Sequence, residues 1–236
     1  MYGGYYSGFY GSGIGGNWFL LLMLALILSA YAQYKVSSSF NKYLKVPSRS
    51  GYSGREVARI ILDRNGLNHV KIETIGGNLT DHYDPRSEVL RLSRKVYNGS
   101  SLAAVSVAAH EVGHAIQHGE GYFPLILRNN IAPIASISSR FVWILIVLGF
   151  VISPFLLEVG IILYLAIVLF QVITLPVEFN ASKRALLQLE ENGVVYSDEI
   201  DSSKKVLSAA ALTYVAATLV SFIQLLRLLS ISGRRR

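Results

Sequence analysis

Residues 100–119 read SSLAAVSVAAHEVGHAIQHG, a serine-capped, alanine-rich run that ends in a cluster of polar side chains. The uncharged body predicts one buried helix, with Gly119 as its C-terminal glycine. On a helix, His110 and His114 lie about one turn and ~6 Å apart on one face, where both imidazoles can bind one zinc ion. Because the helix is otherwise apolar, a metal is the simplest partner for these polar groups inside the protein.

The order His-Glu-x-x-His also gives Glu111 a chemical role. Catalytic zinc sites use three protein ligands, bind imidazole nitrogen at ~2.0–2.1 Å and leave the fourth position to water. Glu111 lies about 100° around the helix from His110, which is too far to share the metal but well placed to take a proton from the activated water. A bare motif of this kind also occurs on ordinary polar helices, but the apolar surroundings favour a metallopeptidase site.

The third metal ligand has two candidates in the sequence. His118 lies eight residues beyond His110 on the same helix, about 12 Å along the axis, and we expect it to be solvated or to lie behind the ligands. Glu178 follows a hydrophobic segment, in a helix predicted to begin near Pro176 and to end before Gly193. The residues alone leave two roles open for Glu178, metal ligand or complement to the helix N-terminus.

Three stretches resemble the YugP-type neutral zinc metallopeptidases of bacteria and archaea: residues 107–117 (VAAHEVGHAIQ), 81–85 (DHYDP) and 90–93 (LRLS). The resemblance extends over about residues 35–229. These enzymes are similar in plan to the HtpX and CAAX-protease membrane metallopeptidases, whose third ligand is the glutamate of an E-x-x-A-D motif. Residues 178–182 (EFNAS) match that motif except at Ser182. The resemblance therefore implies that Glu178 is the third zinc ligand, without the carboxylate that the motif places four residues later.

The composition indicates a membrane protein, since the 236 residues are 52% hydrophobic and 16% charged and the mean hydropathy is +0.41. Four segments approach or exceed the length that crosses ~30 Å of hydrocarbon, at about residues 17–34, 141–157, 160–177 and 206–229. The last contains Thr213, Tyr214, Gln224 and Arg227, which predicts that it lines a cavity rather than lipid. The absence of cysteine excludes thiolate ligands, so a zinc site must use histidine and carboxylate.

The distribution of charge predicts the orientation in the membrane. Residues 1–34 carry no charge, whereas six basic residues follow closely: Lys35, Lys42, Lys45, Arg49, Arg55 and Arg59. By the positive-inside rule this middle region is cytoplasmic, so the net charge of +7 does not indicate a nucleic-acid partner. A hairpin over residues 141–177, turning at Glu158 and Val159, would return Glu178 to the side that carries the two histidines.

Two features oppose this topology. Residues 30–32 (AYA) resemble a signal-peptide cleavage site after an apolar core, although no basic residue precedes that core. If the last hydrophobic segment crosses the membrane completely, the basic residues 234–236 would lie outside, against the positive-inside rule. The sequence therefore does not decide whether this segment crosses fully. We expect the Gly/Tyr/Ser-rich tail over residues 1–16 to be disordered.

A small water-exposed unit is predicted ahead of the zinc helix. Residues 53–65 form an amphipathic helix with Ser53 as N-cap, Gly66 after its end and an inner face of Val57, Ile60 and Ile61. A strand over 70–75 and a hairpin of strands 79–83 and 88–92 follow. This α-β-β-β-α order is typical of a gluzincin-like catalytic core. We expect strand 88–92 to be an edge strand that receives the substrate as an added strand.

The sequence therefore predicts an α+β membrane protein, mainly α, with about four hydrophobic helices and a small gluzincin-like core that contains the HExxH helix. Its regions are a tail (1–16), a transmembrane helix (17–34), a zinc-protease core (35–138), a transmembrane hairpin (141–177), a third-ligand segment (178–205) and a hydrophobic helix with a basic tail (206–236). Four side chains could stabilise the oxyanion, each with an ordinary packing or surface role as the alternative: Arg184, Tyr83, His82 and Tyr214.

The predicted function is a membrane-bound, multi-pass zinc endopeptidase in the cell membrane, with its active site at the cytoplasmic face. Its partners would be the lipid bilayer and polypeptide substrates, including membrane-associated or misfolded membrane polypeptides. Two alternatives remain. A non-catalytic scaffold or assembly factor would keep the fold without needing Glu111. A site-2-type intramembrane protease would need an L-D-G motif in a later membrane crossing, and residues 62–64 (LDR) do not provide one.

Overall fold

The computed structural model describes residues 15–233, so most of the predicted N-terminal tail and the basic residues 234–236 lie outside it. Within that range the chain forms helices and a small sheet in the order α1 (Gly15–Tyr43), α2 (Gly54–Arg64), β1 (Lys71–Ile75), β2 (His82–Asp84), β3 (Val89–Ser93), α3 (Arg94–Tyr97), α4 (Leu102–Gly119), α5 (Phe123–Val151), α6 (Pro154–Glu191) and α7 (Ile200–Gly233).

Four of these helices, α1, α5, α6 and α7, are long and apolar enough to cross a membrane. Large apolar side chains cover their outer faces, and Phe19 and Phe155 are 70% and 68% exposed. Such surfaces are stable only against lipid or another apolar partner. α5 packs on α6, α6 on α7 and α7 on α1, so the four helices form an arc in that order. The predicted number of hydrophobic helices is confirmed.

The hairpin between the second and third hydrophobic helices turns earlier than predicted. α5 ends at Val151 and α6 begins at Pro154, whereas Glu158 lies inside α6. Proline suits a first helical turn because its fixed φ is helical and its missing N–H would have no partner there. Gly149 allows the close approach, because a Cβ at this position would overlap the backbone of Leu157. The predicted turn at Glu158 and Val159 was therefore wrong.

The segment that carries Glu178 is not a new helix. α6 continues through Pro176 to Glu191, so the prediction of a separate helix beginning near Pro176 was wrong. A proline inside a helix removes one backbone hydrogen bond, and packing of the flanking turns compensates for that loss. Thr174 before the proline and Val177 and Ala181 after it are buried, so α6 is packed against its neighbours on both sides of this position.

α4 lies at the centre of the water-exposed unit and packs on α2, α6 and α7. As predicted, a serine caps this helix. The cap is Ser101, whose side chain accepts a hydrogen bond from the Ala104 N–H. Gly119 belongs to the helix itself, and Gly121, with a φ of +65°, takes the left-handed position after its end. The assignment of the C-terminal glycine was wrong by two residues, because either glycine satisfies the sequence pattern.

The sheet has the order β1-β3-β2, with β1 parallel and β2 antiparallel to β3. β3 is therefore the central strand, and the prediction that residues 88–92 form a substrate-receiving edge was wrong. The predicted hairpin is present, but β2 is shorter than residues 79–83. Leu79 has a φ of +56°, which no strand residue adopts, so pairing begins at His82.

The predicted amphipathic helix before the sheet is confirmed as α2. Ser53 forms a capping box with Glu56, and Gly66, with a φ of +72°, follows its end. Val57 and Ile61 are fully buried in the same apolar cluster as α4. This cluster fixes the small sheet and α4 to each other, and thus sets β2 beside the polar end of α4.

Candidate metal centre

Three side chains from two helices converge at the surface between α4 and α6. The Nε2 atoms of His110 and His114 lie 3.3 and 3.7 Å from Oε2 of Glu178. Potential ligand atoms of the three residues all lie within 4.8 Å of one another. The sequence left two roles open for Glu178, metal ligand or complement to a helix N-terminus. Glu178 lies next to both histidines and far from the start of α6, which favours the ligand role.

The backbone of the two helices comes unusually close at this point. A Cβ on Gly113 would lie 2.7 Å from the carbonyl oxygen of Ala181, which is too close for any side chain. Gly113 and Ala181 therefore let α4 and α6 touch along their backbones. This contact sets Glu178, one turn before Ala181, at the level of the histidine pair.

Hydrogen bonds hold His114 in the orientation that a metal ligand requires. The buried Gln117 side chain donates from Nε2 to the Val177 carbonyl and to Oδ1 of Asn180, both at 2.9 Å. A carbonyl oxygen can only accept, so the remaining Gln117 atom, Oε1, accepts the 3.0 Å hydrogen bond from Nδ1 of His114. With its hydrogen on Nδ1, the imidazole presents Nε2 to Glu178, which is the arrangement that second-shell partners impose on zinc ligands.

Ser182 plays the same part for His110. Its hydroxyl lies 3.2 Å from Nδ1 of His110 and can accept that hydrogen. This is the position at which the HtpX-like motif has an aspartate, so a neutral hydroxyl replaces a carboxylate behind the first histidine. The orientation of His110 is preserved, but the acceptor is weaker than a charged one.

The donor set fits a zinc ion. Glu178 is 4% exposed, and its Oε2 atom has no hydrogen-bond partner among the described residues although it faces both imidazoles. A buried carboxylate oxygen without a partner is costly, and a cation bound between it and the two nitrogens would remove that cost. Two histidines and one glutamate, with the fourth position open, form a known catalytic zinc set.

Arg128, on α5, contacts the other oxygen of the same carboxylate. Its Nη1 atom lies 3.6 Å from Oε1 of Glu178. The two oxygens of Glu178 are thus divided between a guanidinium and the histidine pair. Oε2 is therefore the carboxylate oxygen that would face a bound metal, and the guanidinium leaves a positive charge beside the site.

Glu111 lines a cavity of about 180 Å³ that also contains the histidine pair, Glu178 and Arg128. Burial raises the pKa of Glu111 to about 7, while the neighbouring His110 and the backbone N–H of Tyr83 act to lower it. The carboxyl is therefore placed inside the cavity, on the face of α4 that meets β2, where it can exchange a proton with a bound molecule.

The other candidates from the sequence fall into two groups. His82, Tyr83 and Tyr214 line the cavity, so these three oxyanion candidates are near the histidine pair. Arg184 is not among the lining residues and forms an ion pair with Glu120 at 2.6 Å. His118 lies outside the three-residue cluster and hydrogen-bonds the Tyr83 hydroxyl at 2.9 Å, which agrees with the expectation that it is not a ligand.

Sequence reasoning missed Gln117 and Arg128. Gln117 had a detectable signal, because a glutamine three residues after His114 lies one helical turn beyond it and on nearly the same face. Arg128 could be noticed only as an isolated cation at the start of a long apolar helix. Its meeting with Glu178 depends on how α5 folds back on α6, which no local pattern specifies.

The long apolar helices and the His-His-Glu cluster together define a membrane protein with a candidate metal centre. The chain belongs to the family described as "Putative neutral zinc metallopeptidase", whose sequence model matches residues 18–233. It is 52% identical over 212 residues to the "Putative membrane protease YugP" of Bacillus subtilis (strain 168), an alignment that covers 89% of this chain and 94% of the relative. No solved structure gives a significant match. The resemblance seen in the sequence is thereby confirmed.

Proposed function

We propose that this protein is a membrane-bound, zinc-dependent endopeptidase. The observation that carries the proposal is the convergence of His110, His114 and Glu178 within 4.8 Å, with Glu111 in the same cavity. The family match supports a metallopeptidase, and the four apolar helices support a membrane location. The order α2-β1-β2-β3-α3-α4, in which α3 is a single short turn, supports a gluzincin-like core together with a glutamate on a later helix.

Each side chain has a distinct part in the proposed reaction. Zinc, when bound by the three ligands, would supply an activated water and polarise the scissile carbonyl. Glu111 accepts a proton from the attacking water and then donates it to the leaving amine. Arg128, beside the same cavity, is placed to stabilise the negative charge that develops on the carbonyl oxygen. Gln117 and Ser182 hold the imidazoles in place throughout.

The free edge of β2 is the proposed binding strand for the scissile segment. β2 pairs with β3 on one side only, and residues 81–83 line the cavity that contains Glu111. An extended peptide can add to an unpaired strand edge through main-chain hydrogen bonds. A substrate paired there would pass between β2 and α4 and bring a peptide bond to Glu111.

The catalytic core is proposed to face the cytoplasm. The six basic residues between Lys35 and Arg59 follow the first apolar helix, which favours this side by the positive-inside rule. Glu178 comes 24 residues after the start of α6, ~36 Å along the axis, so it lies near the membrane surface rather than at the midplane. A polypeptide emerging from the bilayer would meet the site directly.

Zinc content and peptide cleavage, measured on the same samples, test this proposal. We expect one zinc per chain and casein cleavage in the wild type, loss of zinc in Glu178→Ala, and zinc without cleavage in Glu111→Gln. Full zinc occupancy in Glu178→Ala would remove Glu178 from the ligand set. A zinc-free, inactive wild type would favour the scaffold alternative, for which Glu111→Gln would be neutral.

A further inference from the structure

A second cavity adjoins the metal site on its membrane side. It has a volume of about 530 Å³ and lies among α1, α5, α6 and α7. Glu178, Arg128 and Tyr214 line both this cavity and the smaller one that contains Glu111. The two spaces therefore meet at the carboxylate of the third ligand, and a molecule in the larger one lies against the catalytic centre.

Most of the residues that line this membrane-side cavity carry a polar group, although its helices are apolar. Ser29 and Gln33 come from α1, Gln171 and Thr174 from α6, and Thr213 from α7. The hydroxyls of Ser29, Thr174 and Thr213 donate to carbonyl oxygens of their own helices. Within residues 15–233, the side-chain amides of Gln33 and Gln171 have no such partner and can bind a guest molecule. Polar groups inside membrane helices are costly and characteristically mark the path of a substrate or an ion.

The cavity extends from the metal site into the membrane. Gln171 precedes Glu178 by seven residues on α6, which corresponds to ~10 Å along the axis toward the hairpin turn. Thr174 lies between them, about one turn from Glu178. Hydrogen-bonding groups thus follow one another along α6 toward Glu178.

The arrangement of the helices leaves one side of this cavity open. The packed pairs are α5 with α6, α6 with α7 and α7 with α1, and the described parts of α1 and α5 make at most a marginal contact with each other. Both nevertheless contribute lining residues, Ser29 and Gln33 from α1 and Arg128 from α5. The gap between the two ends of the arc therefore gives access from the lipid.

We propose that this cavity receives the unwound end of a substrate's membrane-spanning segment, which enters from the bilayer between α1 and α5. The backbone groups of that segment pair with Gln33, Gln171 and Thr213, and the peptide bond just outside the membrane reaches the site at Glu178. The preferred substrates are thus membrane-anchored polypeptides cleaved close to the anchor. This inference rests on the proposed endopeptidase function.

The test compares one cleavable sequence with and without a membrane anchor. The probes are a fluorogenic casein-derived peptide and the same peptide fused to a Leu/Ala transmembrane helix, both offered to the full-length enzyme in phosphatidylcholine vesicles. We expect kcat/KM for the anchored peptide to exceed that for the free peptide at least tenfold. Equal values would overturn the inference but leave the endopeptidase standing, whereas cleavage of neither peptide would overturn both.

Two neighbouring positions on α1 give a matched pair of variants. Ser29 lines the cavity, whereas Ala30 is exposed on the outer face of the helix. Ser29→Phe should lower the ratio of anchored to free kcat/KM at least tenfold by filling the space, and Ala30→Phe should leave it within twofold of the wild type. An unchanged ratio in zinc-loaded Ser29→Phe contradicts the proposal.

Cross-linking provides a second measurement that does not depend on the stability of Ser29→Phe. In inactive Glu111→Gln protein, a photoreactive amino acid replaces one of two exposed residues of α1, either Gln33, which lines the cavity, or Tyr34, which does not. The anchored peptide should be captured at position 33 and not at position 34. Capture of lipid alone at position 33 would assign the cavity to an acyl chain and overturn the proposal.

Discussion

The substitution Gln117→Leu should weaken zinc binding without touching a ligand. Gln117 is fully buried and makes three hydrogen bonds, to Nδ1 of His114, the Val177 carbonyl and Oδ1 of Asn180. Leucine has a similar volume but can make none of them. His114 would lose the acceptor that holds its hydrogen on Nδ1, and α4 would lose two polar links to α6.

The size of the effect follows from these contacts. Loss of a partner behind a metal-bound histidine typically lowers metal affinity about 10–100-fold, roughly 1.4–2.8 kcal/mol. The stability of the fold should also fall, because each net hydrogen bond contributes about 0.5–1.5 kcal/mol and two of the partners, His114 and Val177, are buried. We therefore expect a zinc dissociation constant at least tenfold above that of the wild type, together with a lower Tm.

Competition with a chelator of known affinity measures the dissociation constant, and a thermal melt in detergent measures the Tm. Gln188→Leu is the control, since Gln188 lies on α6 away from the metal site and accepts a hydrogen bond from Asn65 at 2.8 Å. It should leave zinc affinity unchanged. If Gln117→Leu binds zinc within twofold of the wild type, the orienting role assigned to Gln117 is refuted, whatever the Tm.

Three further changes test other parts of the structure. Ser182→Ala should lower zinc affinity about tenfold by removing the acceptor behind His110, and Ser182→Asp should raise zinc affinity above that of the wild type. Chelator competition measures both affinities. An unchanged zinc affinity in Ser182→Ala would contradict the role of Ser182 in orienting His110. Arg128→Gln should reduce kcat about 10²–10³-fold on the casein-derived peptide, while one zinc per chain remains bound. An unchanged kcat would exclude Arg128 as an oxyanion partner. Hydrogen bonds from Ser87 and from the Arg86 N–H hold the folded-state pKa of Asp84 at about 2, below its ordinary value of 3.8. The ionised Asp84 carboxylate therefore stabilises the fold fully above about pH 4, and this stabilisation is lost as the pH falls toward 2. The Tm values of the wild type and Asp84→Asn should converge over that pH range. A constant difference in Tm would count against this hydrogen bonding.

The parts of the fold that local chemistry specifies were predictable from the sequence. Ser53 and Ser101 begin their helices as expected, because a serine N-cap depends only on the next few residues. The histidine spacing placed both rings on one face of α4 for the same reason. The apolar runs likewise identified four long helices, since bilayer thickness sets a minimum length.

The parts that failed depend on contacts between distant segments. Pro176 is an ordinary helix start by local rules, yet α6 passes through it because buried neighbours on both sides hold the helix together. Residues 88–92 resemble an edge strand, but β1 crosses over to pair with β3 and places it in the centre. Arg128 and Glu178 meet only after a hairpin of two long helices, so their pairing has no signature in either segment.

The continuity of α6 links the metal centre mechanically to the bilayer. One continuous helix carries both the candidate membrane span and the candidate ligand Glu178, which lies ~36 Å from the hairpin end. A tilt of about 5° around that end would displace Glu178 by ~3 Å, far more than the ~0.2 Å within which zinc ligands are held. Because apolar helices tilt to match the thickness of the hydrocarbon layer, we expect lipid chain length to change the geometry of the candidate metal centre.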